Sequence, residues 1–73
     1  MDKRMYWRNR KTGETEFRDM PETDEEAVKY IPQDETAQGL YVCWRNLGLE
    51  IDEAMINVLS ASVGKTPPFK AKN

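Results

Sequence analysis

The stretch Arg4-Met5-Tyr6-Trp7-Arg8-Asn9-Arg10-Lys11-Thr12-Gly13-Glu14-Thr15-Glu16-Phe17-Arg18 decides the architecture of this 73-residue chain. Aromatic and apolar residues mix with Arg and Glu on both sides of Arg10-Lys11-Thr12-Gly13, where glycine can supply the positive φ of a tight bend, so residues 4–18 read as a β-hairpin. Side chains alternate across a strand, so Tyr6 and Trp7 must point to opposite faces, one into a core and one outward. A two-stranded ribbon alone is marginal in water, and one face must pack on something else. The helices that follow are the obvious partner.

Beyond the hairpin, Thr23-Asp24-Glu25-Glu26 has the form of a capping box, with acids at the positive end of the helix dipole. Pro32 should end that helix near residue 31, giving a span of about 24–31. Capping accounts for the acidic run without a binding role. Asp34 can open a second helix over about 35–47, where Ala37, Leu40, Tyr41, Trp44 and Leu47 recur at three- and four-residue spacings before Gly48. Gly39 inside it costs roughly 1 kcal/mol relative to alanine. Cys43 lies in the apolar run Leu40-Tyr41-Val42-Cys43-Trp44 and reads as a core residue. A third helix over about 52–62 carries the stripe Ile51, Ala54, Met55, Val58 and Leu59. The expected fold is therefore α+β: an N-terminal β-hairpin packed on two or three short helices in a single domain over 1–64. Residues 65–73, with Pro67-Pro68, should form a flexible basic tail in which Phe69 is a candidate docking anchor.

Length allows only one core, since a domain of this size buries only about 60% of the surface its unfolded chain exposes. The solitary Cys43 cannot form an internal disulfide, which points to a reducing compartment such as the cytoplasm. No apolar run has signal-peptide or membrane-spanning length, so neither export nor a membrane is expected. The net charge of −2 hides a segregated pattern. Residues 1–18 set Lys3, Arg4, Arg8, Arg10, Lys11 and Arg18 against Asp2, Glu14 and Glu16. Residues 19–37 set seven acids against Lys29 alone, and the tail regains positive charge through Lys65, Lys70 and Lys72.

Catalysis finds little to work with. The chain has no histidine, which removes the commonest general base and the commonest metal ligand together. A lone cysteine excludes cysteine-rich zinc sites, and no P-loop, Gly-x-Gly-x-x-Gly or Gly-x-Ser-x-Gly is present. The chain reads as a binder and not an enzyme, with no cofactor and no metal. A helix-turn-helix fails because Glu50, Asp52 and Glu53 would face the nucleic acid. Arg8, Arg10 and Lys11 beside Tyr6 and Trp7 could follow a phosphate backbone, but so small a charge surplus supports only a secondary nucleic-acid contact. Aromatic and arginine residues dominate protein interfaces, so the partner-binding candidates are Tyr6, Trp7, Arg8, Arg10, Lys11 and Phe17, with Phe69 in the tail.

Residues 6–17 resemble the central hairpin of WW domains, matching Tyr6, Trp7, Asn9, Thr12 and Thr15 in order. Phe17 stands where the second WW tryptophan belongs and Arg10 where a histidine is usual, so the resemblance carries turn chemistry and not a proline-rich ligand groove. Over its whole length, through Met5-Tyr6-Trp7-Arg8-Asn9-Arg10-Lys11-Thr12-Gly13-Glu14 and Pro67-Pro68-Phe69-Lys70, the chain resembles small phage-encoded transcription regulators. That resemblance implies binding to the β′ and β subunits of bacterial RNA polymerase, inhibition of σ-dependent initiation and antitermination; a monomer in the bacterial host cytoplasm is the expected state. The alternatives are a protein adaptor unrelated to transcription and a weak single-strand nucleic-acid binder.

Overall fold

The computed structural model describes residues 4–73. Strands β1 (Arg4–Asn9) and β2 (Thr15–Asp19) form the expected hairpin, with Tyr6 opposite Phe17 and Trp7 opposite Glu16. Asn9 organises the bend. Its carbonyl accepts from Gly13 N–H at 2.8 Å, and its side-chain Oδ1 accepts from the backbone of Lys11 and Thr12 at 2.9 and 3.2 Å. Gly13 takes φ 77°, the left-handed conformation the turn requires.

The next helix is shorter than the expected 24–31. α1 covers only Asp24–Ala27, with Thr23 Oγ1 accepting from Glu26 N–H at 3.2 Å. Tyr30–Pro32 instead forms a strand, β3, antiparallel to β1, and the sheet order is β2-β1-β3. Two forces favour this outcome. Pro32 disfavours helix at Ile31, and β1 would otherwise leave a row of unpaired backbone groups beside an aromatic and a β-branched residue. β3 is an edge strand, where a proline is tolerated, and Gln33 N–H extends the ladder to Tyr6 O at 2.9 Å.

Helices α2 (Glu35–Asn46) and α3 (Ile51–Ser62) follow. Asp34 holds the extended N-cap conformation of α2, but its carboxylate makes no cap hydrogen bond. At the start of α3, Glu53 Oε1 accepts from Glu50 N–H at 2.9 Å. Trp7 (1% exposed), Tyr30 and Met55 form the core cluster, with Met5, Met20 and Tyr41 packed against it. Ala54, Val58 and Leu59 of α3 are also buried, whereas α2 contributes no fully buried residue. Cys43 is exposed, contrary to its expected core place. The stripe Leu40, Tyr41, Trp44 and Leu47 faces inward, and at 100° per residue Val42 and Cys43 fall off it.

A polar network ties the inner side of β2 to its neighbours. Arg18 donates to Tyr30 Oη at 2.8 Å and pairs with Glu26, while Tyr30 Oη donates to Glu16 Oε1 at 3.2 Å. Partial burial works against the Arg18 charge, but the hydrogen bonds to Glu26 and Tyr30 outweigh it and hold the guanidinium proton more firmly than usual.

Residues 65–73 were expected to be mobile, yet their backbone is anchored. Asn57, fully buried on α3, pairs with the backbone of Phe69, and the N–H groups of Lys72 and Asn73 donate to Leu47 O at 2.7 and 3.1 Å. Asn73 Nδ2 also donates to Asn46 O at 2.9 Å. The last carbonyls of a helix lack intrahelical partners, and here the tail supplies donors to the end of α2. Among the described residues, no helix is long and apolar enough to cross a membrane.

Candidate protein-binding interface

Strand alternation divides the sheet into two faces with different chemistry. Met5, Trp7 and Asn9 of β1 point toward the helices, and Arg4, Tyr6 and Arg8 point away. On β2, Phe17 shares the outer face, directly opposite Tyr6. The two rings stack at a tilt, with centroids 4.8 Å apart and planes at 42°. Arg4 lies over the Phe17 ring with its guanidinium carbon 5.0 Å from the centroid. Arg8 sits between Thr15 on β2 and Ile31 on β3 in the same register.

Tyr6 is 56% and Phe17 47% exposed, which is unusual for two touching aromatic rings outside a core. The surface they make is apolar at its centre and bordered by Arg4 and Arg8. A pair of this kind contributes only about 1 kcal/mol to folding where water still reaches it, so its stabilising role is small.

The seven residues singled out from the sequence divide accordingly. Tyr6, Arg8 and Phe17 come together on the outer face. Trp7 is core, and the alternation that exposes Tyr6 is what buries it. Arg10 is held inward, donating through Nη1 to Val28 O at 2.5 Å and to Asp52 Oδ1 at 2.6 Å. Lys11 is exposed in the turn, away from the aromatic pair. Phe69 is half-buried in the anchored tail and is not part of the sheet face. Sequence reading left out Arg4 and Ile31. Period-2 spacing with Tyr6 and Arg8 could have identified Arg4, whereas Ile31 had no signal because β3 was read as the end of a helix.

Neither protein-family models, nor characterised proteins, nor solved structures match this chain. Among the described residues no cluster of three or more His, Cys, Asp or Glu side chains could hold a metal ion.

Proposed function

We propose that this chain is a stoichiometric, non-catalytic modulator of bacterial RNA polymerase that works in the bacterial cytoplasm. It docks on the β′ and β subunits through the outer sheet face, holds back σ-dependent initiation and promotes antitermination. The observation that carries a binding role is the exposed Tyr6–Phe17 stack bordered by Arg4 and Arg8. Large rigid aromatics and arginines lose little conformational entropy on docking and bury much area, which is why they anchor interfaces. The choice of polymerase as partner rests on the resemblance of the hairpin and tail sequences to phage regulators.

The test is capture from a bacterial lysate at low salt with the tagged full chain, with and without nuclease. Recovery of β′ and β that survives nuclease and is lost in the Tyr6→Ala/Phe17→Ala variant supports the proposal. Absence of polymerase refutes the partner. Polymerase retained equally by the double variant refutes the face, and material lost on nuclease treatment favours nucleic acid.

A further inference from the structure

At the turn end of β1 lies a second surface feature, outside the aromatic face. A groove of about 470 Å³ opens between Asn9, Arg10 and Lys11 on one side and Val28 and Lys29 on the other. Its walls are fixed to each other: Arg10 N–H donates to Lys29 O at 2.9 Å, and Arg10 Nη1 bridges Val28 O and Asp52 Oδ1. The lining contains three cations and no carboxylate. Asp52 answers the charge of Arg10, but Lys11 and Lys29 are exposed and make no ion pair among the described residues. Val28 adds a half-buried apolar patch between them.

We propose that this groove binds an acidic peptide segment of a partner protein. Carboxylates reach Lys11 and Lys29, and the aliphatic part of a Glu side chain lies on Val28. The volume suits a few side chains and not a folded domain. Nucleic acid fits less well, for two reasons. No aromatic side chain lines the groove to stack a base. A phosphate backbone also carries charge at every nucleotide and would be repelled where it passes Asp52, the partner of Arg10. A peptide can place charge only where the two lysines are. The backbone bonds that join the walls leave the groove preformed, so binding needs little reordering of this chain.

A short peptide carrying two glutamates among neutral residues, titrated into the full chain at low salt and followed by backbone amide spectra, tests this without polymerase, so its outcome is independent of the capture experiment. Shifts should concentrate at residues 9–11 and 28–29. Lys11→Gln/Lys29→Gln should weaken binding about tenfold and each single substitution about threefold, while Lys65→Gln/Lys70→Gln leaves it unchanged. Shifts elsewhere, no binding, or equal weakening by the tail variant overturns the proposal. Tighter binding of an oligothymidylate of equal charge at the same residues reassigns the groove to nucleic acid.

Discussion

Asn57 and Phe69 are joined by two opposed hydrogen bonds, Asn57 Nδ2 donating to Phe69 O at 2.8 Å and Phe69 N–H donating to Asn57 Oδ1 at 3.0 Å. The side-chain amide thus pairs with a backbone as a neighbouring strand would, and it does so with Asn57 fully buried. Asn57→Ala removes both bonds and strands the polar groups of Phe69, at a cost of about 2–3 kcal/mol. Urea unfolding should show this as a lower midpoint. A loss under about 0.5 kcal/mol would mean that this pair contributes little to the folded state.

Gly48 links α2 to α3 at φ +95°, and a Cβ there would lie 2.9 Å from Asn73 Oδ1 and 3.1 Å from Lys72 Cβ. Gly48→Ala therefore combines left-handed backbone strain with displacement of the tail, and should cost about 1–2 kcal/mol. Asn73→Ala should relieve the contacts with the Asn73 side chain and leave the one with Lys72 Cβ. A double-mutant cycle that finds the two substitutions strictly additive would place the cost in the backbone and the Lys72 contact, not in the Asn73 side chain.

Acid should loosen the tail through Glu53. The hydrogen bond from Lys72 Nζ at 2.7 Å, then that from Glu50 N–H, holds its carboxyl below the ordinary glutamate value of 4.5. A carboxylate with a lowered folded-state pKa adds stability above its unfolded value and loses it as pH falls through the folded one. The amides of Lys72 and Asn73 should stay protected from exchange at pH 4.5 and lose protection at more acidic pH. In Glu53→Gln that step should vanish, and an unchanged profile would assign it to another group.

The two faces of β1 should separate in mutational data. Tyr6→Ala and Phe17→Ala remove exposed ring contacts and should each cost no more than about 1 kcal/mol, with partner capture as the readout that changes. Trp7→Ala empties the core beneath the same strand and should cost about 3–5 kcal/mol. A thermal scan showing Tyr6→Ala as damaging as Trp7→Ala would count against the outward placement of Tyr6.

Sequence reasoning succeeded where signals are local and periodic. The hairpin with Gly13 at its bend, the Thr23 cap and the spans of α2 and α3 all follow from residues within a few positions of each other. It missed β3, because three residues are too few to show a period and Pro32 is equally a helix stop and an edge-strand residue. It missed the anchored tail for a different reason. Asn57 sits beside the apolar stripe of α3, not on it, and its partner lies twelve residues later in a segment whose double proline reads as unstructured. At the candidate interface, alternation showed that Tyr6 and Trp7 must separate but not which one the helices would cover.

The strand order β2-β1-β3 places the first strand of the sequence in the centre of the sheet. Its contacts with β2 close a loop of a few residues, while those with β3 must wait for a chain segment more than twenty residues away, from Asn9 to Tyr30, to be brought back. The sheet should mature from one edge to the other, the hairpin first within microseconds and the β3 side later with docking of α3. Pulse-labelled amide exchange during refolding should therefore protect Glu16 and Arg18, whose N–H groups face β1, before Ile31, so the hairpin that carries the outer aromatic pair would assemble before the core that supports it.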